Sequence, residues 1–342
     1  MARWVTLVQF PSSVPVRREA LGSTTAVVIG THRGRIALPT AGDAIHPDGR
    51  FGSPLGRPRV AGLDSLAKLT TGGWGEQGSM APDDELWGRG FAWENDELVA
   101  AAVFTAAMVF EAREPPDRVA ADETGRRLST RIDEWATSVV GWLEVITGLD
   151  LDPHEPLHEH VNQFLTYATR FWDVSSEGES TWYPVNPRRF ISIGGNAKQA
   201  ISKRLWKKAV AAANAATRLP DEYLLIRNAK RALRRERTRF AVLDAATAAD
   251  MAIYGEVRRR LKSDLGEGTT GEILKQVSQT VRLTPLLLSL GVALPATSQA
   301  GLFDLRNRVI HRNVTPTTDE GKEAVAIASV IVSRCVQLPT VS

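Results

Sequence analysis

Residues 238–262 read Thr238-Arg-Phe-Ala-Val-Leu-Asp-Ala-Ala-Thr-Ala-Ala-Asp-Met-Ala-Ile-Tyr-Gly-Glu-Val-Arg-Arg-Arg-Leu-Lys262. Phe240, Leu243, Thr247, Asp250, Tyr254, Val257 and Leu261 recur at three-four-three-four spacing, the period of one face of an α-helix. Further helical patterns occupy residues 198–217, 221–235, 271–290, 299–313 and 318–335. Their punctuation agrees: Pro220 stands at a start, Gly266 and Gly268 in a loop, and Pro295 after a stop. Thr317-Thr-Asp-Glu320 has the spacing of a capping box, in which the hydroxyl and the carboxylate each satisfy a free amide at a helix start. Helices alone over residues 196–342 predict a helical bundle.

Two charged residues stand on faces that should be apolar. Asp250 lies inside the stripe just described, where an unpaired carboxylate would cost roughly several kcal/mol or take up a proton. In residues 299–313, Leu302, Phe303, Leu305, Val309 and Ile310 define one apolar arc, and Arg306 falls near its middle. Asn307 and His311, four residues apart, share the margin of that arc. An arginine among aliphatics either snorkels or is held by an anion. The expectation is an Asp250–Arg306 pair across the bundle, with a bound phosphate or a partner subunit as the other choices.

The chain has 342 residues, with 42 Lys+Arg and 39 Asp+Glu, a formal balance of +3. The sum hides a division. Residues 1–195 carry 18 basic and 26 acidic side chains, and residues 196–342 carry 24 and 13. Eight of the nine tryptophans precede residue 196. Two domains are expected, 1–195 and 196–342, the basic one a nucleic-acid candidate. A hydrophobic fraction of 43% excludes a wholly disordered chain.

The first ninety residues alternate Gly and Pro with short β-favouring runs at 4–10, 24–29 and 35–38. Helices are expected at 97–111 and 122–146, the second stopping at Gly148, and extended chain at 164–174 and 182–193. The fold class expected is therefore α+β: a mixed strand and helix domain followed by an all-α bundle. The N-terminus reads as a strand rather than a signal peptide, and the most apolar stretch, 98–110, is too short to span a bilayer. A single cysteine, Cys335, excludes an internal disulfide framework and fits a reducing cytoplasm.

The segment Leu305-Arg-Asn-Arg-Val-Ile-His-Arg-Asn313 resembles the Arg-Asn-x-x-x-His signature of the HEPN superfamily, met by Arg306, Asn307 and His311. The context resembles it too: a helix at 224–233, a basic turn, then the alanine-rich run Ala241-Val-Leu-Asp-Ala-Ala-Thr-Ala-Ala-Asp250. Relatives commonly carry Glu where this sequence has Asp250. The resemblance covers about residues 198–340. It implies a small helical bundle that dimerises, bringing two motifs into one cleft. Many such domains are metal-independent RNases acting as toxins or in defence against phage; others only bind RNA, nucleotides or proteins.

The implied chemistry needs neither metal nor cofactor. The 2′-OH of RNA attacks the adjacent phosphate and leaves a cyclic phosphate end. Imidazole is suited to the proton transfers, which assigns His311 as general acid/base. A planar guanidinium matches phosphate oxygens, which assigns Arg306 to stabilise the phosphorane, with Asp250 in support. Asn307 orients the imidazole or contacts the phosphate. Arg308, Arg312, Lys230, Arg231, Arg234 and Arg235, with Lys203, Arg204, Lys207 and Lys208, are candidates to hold the RNA backbone. The acidic half is expected to be a sensor, inhibitor or partner-binding domain that responds to a protein or phage-derived trigger. A second reading is a non-catalytic RNA- or protein-binding module that keeps the motif for packing. His154-Glu-Pro-Leu-His158, with His160 nearby, formally matches a zinc-protease motif, but Pro153 and Pro156 break the continuous helix that motif requires.

Overall fold

Residues 97–111, expected to be helical, are a strand, and the N-terminal sheet is built around it. Alanine and methionine favour helices, yet a run that is apolar on every side equally suits a central strand covered on both faces. β5 is such a strand: Ala100, Ala101, Ala102, Ala106, Ala107 and Met108 are all buried. This is seen in a computed structural model, which describes residues 2–42, 55–56, 58–59, 87–112, 118–149, 151, 169–173, 180–183, 200–277 and 280–339.

The described strands are β1 (Ala2–Arg17), β2 (Thr24–Ile29), β3 (His32–Ala37), β4 (Gly88–Glu94), β5 (Glu97–Ala112), β6 (Thr169–Asp173) and β7 (Ser180–Tyr183). They form one antiparallel sheet in the order β2-β3-β5-β1-β6-β7, with β4 also beside β5. β5 pairs with β1 along one edge. On its other edge it takes β4 along its first half and β3 along its second. The helix α1 (Arg118–Thr147) packs on this sheet with Leu128, Ile132, Trp135, Val139 and Leu143 buried.

The two compact units part between Thr217 and Arg218. The composition shift at residue 195 groups α2 (Lys203–Asn214) with the basic half, whereas its packing belongs to the sheet unit. Ile201, just before α2, bridges Val16 of β1. Trp206 of α2 meets Phe10 edge-on, with ring centroids 5.8 Å apart. Asn214 pairs with the outer strand as a neighbouring strand would. Its Oδ1 accepts from the Val28 amide at 3.0 Å, and its Nδ2 donates to the Ala26 carbonyl at 3.0 Å. The same Oδ1 accepts from Trp135 Nε1 at 3.1 Å. One side chain thus satisfies two backbone groups of an exposed sheet edge and an indole N–H.

The second unit is all helical among its described residues, so the fold class is α+β. It comprises α3 (Asp221–Arg234), α4 (Thr238–Gln276, kinked at Gly266), α5 (Thr280–Ser289), a π-helical turn (Gln299–Asp304), α6 (Leu305–His311) and α7 (Thr318–Cys335). The helix expected over 271–290 is thus divided: its first residues continue α4 past the kink, and α5 begins anew. The capping box opens α7 as expected, with Thr317 and Glu320 bonding each other's amides. No described helix is long and apolar enough to cross a membrane.

The buried face of α4 meets the stripe that periodicity picks out mainly at its far end, where Val257 and Leu261 are buried; Leu243 is partly buried. Phe240 is 60% and Tyr254 40% exposed, and Thr247 faces solvent. Buried instead are Ala241, Ala245, Ala248, Ala249 and Ala252, continuing through Ile253 and Val257, packed with Ile226 and Ala229 of α3 and Ala324, Ala328 and Ile331 of α7. Alanine lets helix backbones approach closely, and this face has little room for large side chains.

Asn214→Ala leaves the Trp135 indole N–H and the Val28 amide without their acceptor. It should lower the stability of the N-terminal unit by about 1–3 kcal/mol, read as a shifted urea midpoint for the tryptophan fluorescence transition.

Candidate functional site

The motif helix α6 owes its orientation to the π turn before it. A π turn carries an extra residue, so it rotates everything after it relative to a continuous α-helix. Gly301 permits the turn to lie against α7: a Cβ there would stand 2.7 Å from Ile327 Cδ1 and 3.1 Å from Glu323 Oε1. With this phase Leu302, Phe303, Leu305 and Val309 are buried, while Ile310, expected in the same arc, is 48% exposed.

Arg306 lies at the edge of the buried face, toward α4. Its Nη1 donates to Asp250 Oδ2, the pair expected from the sequence. The two side chains are 28% and 26% exposed, so the pair is largely withdrawn from water. Arg306 Nε is buried with no hydrogen-bond partner among the described residues. A second link runs beside the first: Arg239 Nη1 donates to Asn313 Oδ1. The contacts 250 with 306 and 239 with 313 set α4 and α6 antiparallel.

Arg308 is turned the other way. Its Nη2 lies 3.0 Å from Glu320 Oε1 at the start of α7. The Thr317 backbone N–H, and then Arg308, hold the Glu320 carboxyl below the usual carboxylate range. Arg308 therefore ties α6 to α7 through a carboxylate that also caps a helix, and it has less freedom to hold RNA than its sequence position implied. Arg312 is exposed at the end of α6. Asn307 and His311 are exposed one turn apart, together with Ile310, and neither has a hydrogen bond or ion pair among the described residues.

The structure thus gathers Arg306, Asn307, His311 and Arg312 with Asp250 and Arg239. It seats Lys230, Arg231 and Arg234 on another helix, α3, with Arg235 capping its end; α3 packs against α4 and α7. Lys230 is half-buried, and burial and then the neighbouring Arg234 push its ammonium below the usual value. Lys203, Arg204, Lys207 and Lys208 are on α2, in the other unit. The histidines His154, His158 and His160 lie outside the described residues. Cys335 is buried, which pushes its thiol up to about 11.

The sequence reading missed two features. Glu256 is buried on α4 with its carboxylate gripped by Arg259 at 2.7 Å and Arg260 at 2.6 Å. Burial raises its pKa, but these hydrogen bonds outweigh burial and the net shift is downward. Arg260 also donates to the Leu290 carbonyl, linking α4 to the end of α5. The signal was a Glu three and four residues before two arginines, a spacing that pairs them on a helix. The other missed feature is the exposure of the large apolar side chains Phe240, Met251 and Tyr254 on α4 and of Ile310 on α6.

Compared with protein-family models, with curated proteins and with solved structures, the chain matches none.

Removing either partner of the Asp250–Arg306 pair takes a charge-assisted hydrogen bond from a group largely withdrawn from water. Asp250→Ala and Arg306→Ala should each destabilise the helical unit by about 1–3 kcal/mol, and the double variant by less than their sum. A double-mutant cycle in urea measures the coupling.

Proposed function

We propose that the second unit is a metal-independent endoribonuclease of HEPN type, cutting RNA by attack of its own 2′-OH. The observation that carries this reading is the disposition of α6. One guanidinium is anchored by a carboxylate, and the motif's amide and imidazole stand exposed and unpaired on the adjoining face. A histidine kept only for packing would be buried or satisfied by a neighbour.

The division of labour follows from the side chains. His311 takes the proton of the 2′-OH or returns one to the leaving 5′-oxygen, which requires access to solvent and substrate. Asn307, one turn away, orients the imidazole or donates to a phosphate oxygen. Arg306 offers its remaining N–H groups to the charge that builds on the phosphorane, while Asp250 fixes the guanidinium plane beforehand. Arg312, next after His311 along the chain, and Arg239, bonded to Asn313 from α4, hold flanking phosphates. Lys230, Arg231, Arg234 and Arg235 belong to a longer RNA path over α3.

Exposed Phe240, Met251 and Tyr254 of α4, with Ile310 of α6, are the apolar side chains this reading gives to a second copy of the chain. Dimerisation there sets two motifs near one another, as the family resemblance implies. The reading places the protein in the cytoplasm as a toxin or antiphage effector, with the acidic first unit receiving the trigger.

The ion pair also favours a second reading. Asp250–Arg306 and Arg308–Glu320 each satisfy a motif-region arginine structurally, as a non-catalytic RNA- or protein-binding module would need.

His311→Ala separates the two. Cleavage of total RNA should fall by about 10²–10⁴-fold with the thermal melt unchanged, and light scattering of the wild type should give twice the mass of one chain. Equal cleavage by wild type and variant, or none by either, supports the binding module.

A further inference from the structure

Positive charge collects at one corner of the N-terminal unit, where the β2–β3 hairpin meets α1. Gly30 and Thr31 join the two strands as a two-residue loop, and Gly30 adopts φ 59, open to glycine without strain. A Cβ at Gly30 would fall 2.6 Å from Arg131 Nη1, so the guanidinium of α1 rests directly on the loop backbone. His32, the first residue of β3, is partly buried beside it. Arg127 is one helical turn before Arg131. Burial, then Arg131, then Arg127 hold the His32 imidazole below its usual value.

On α1, Asp133 and Glu134 follow Arg131 by two and three residues without pairing to it among the described residues. Arg131 has no ion pair or hydrogen bond among the described residues. Glu123 approaches Arg127 at 4.0 Å, with both side chains about two-thirds exposed, a pair of little strength in water. On β3, Arg33 and Arg35 alternate to the opposite sheet face and are themselves cationic. From α2 the polar group facing the hairpin is the neutral amide of Asn214, which clamps β2 and is bonded by Trp135 of α1. The corner is therefore held in place from three elements, and two arginines and a histidine stand at it in an otherwise acidic half.

We propose that His32, Arg127 and Arg131 form a binding site for a phosphoryl group, free or carried on a small molecule. Guanidinium forks match the oxygens of a tetrahedral dianion, and the imidazole adds a third donor once an anion offsets the arginines. Binding then takes up a proton at His32, so affinity rises as pH falls toward the ordinary imidazole value. The site stands apart from the RNA-cutting reading of the second unit, and it gives the first unit a ligand class for its trigger.

Sulfate is the probe of choice, because it stays doubly charged across this pH range. The imidazole resonances of the six histidines in the full chain are titrated in sulfate and in chloride at matched ionic strength. Sulfate should raise the His32 midpoint by about half a unit or more, and this rise should be lost in Arg131→Gln with the melt unchanged. Inorganic phosphate reproducing the rise supports the free ion as ligand; a nucleoside monophosphate doing so at lower concentration supports a carried phosphoryl group. Equal His32 midpoints in the two salts, a rise shared by all histidines, or a rise that survives in Arg131→Gln overturns the proposal.

Discussion

The ion pair between Asp250 and Arg306 is the constraint on which the second unit turns. It joins the long helix α4 to the short helix α6, whose seven residues could not hold a helical conformation alone. A guanidinium at the edge of an aliphatic core is tolerable only with an anion beside it, and the carboxylate comes from a helix that is itself alanine-packed on the far side. The π turn before α6 supplies the rotation that brings Arg306 to Asp250 and turns Asn307 and His311 outward. Arg308, directed at Glu320, fixes the same helix from its other side. Geometry and chemistry are thus coupled: the residue best suited to bind a phosphate is also the one that seats the motif helix.

Much of the architecture was legible in the sequence, and the failures have physical reasons. The span of α7 could be read to the residue, because a capping box and a clean apolar period act together. β2 coincides with the run at 24–29 for a similar reason, its β-branched residues being bounded by turn formers. β5 was misread because alanines in a continuous apolar run satisfy a helix and a doubly covered strand alike, and only its partners on both edges decide between them. The face of α4 was misread over its first half, because hydrophobic periodicity weights large residues whereas close helix packing there selects alanine; Val257 and Leu261 further on are buried as the period implied. The domain boundary fell short because composition changes near residue 195 while α2, basic in sequence, is committed to the sheet.

The Asp250–Arg306 ion pair was legible where parts of the fold were not. Asp250 and Arg306 stood out as charges in apolar surroundings, and an unsatisfied charge is a stronger statement about structure than any single apolar residue. What the sequence did not convey was the division of labour among cations. Arg306 and Arg308 are two residues apart yet point to different helices, and Arg308 serves a capping carboxylate. A helix register shifted by a π turn leaves no mark in composition or period. Nor did charge sums show that the acidic half holds a cationic corner of its own.

In the proposed reaction the 2′-OH attacks the phosphate next to it, and the chemistry of the cut ends records which bond broke. RNA cleaved by the full chain in EDTA should carry 2′,3′-cyclic phosphate and 5′-hydroxyl ends, as attack by the neighbouring hydroxyl requires. Ends bearing a 3′-hydroxyl and a 5′-phosphate, or cleavage that appears only when a divalent metal is restored, would contradict it.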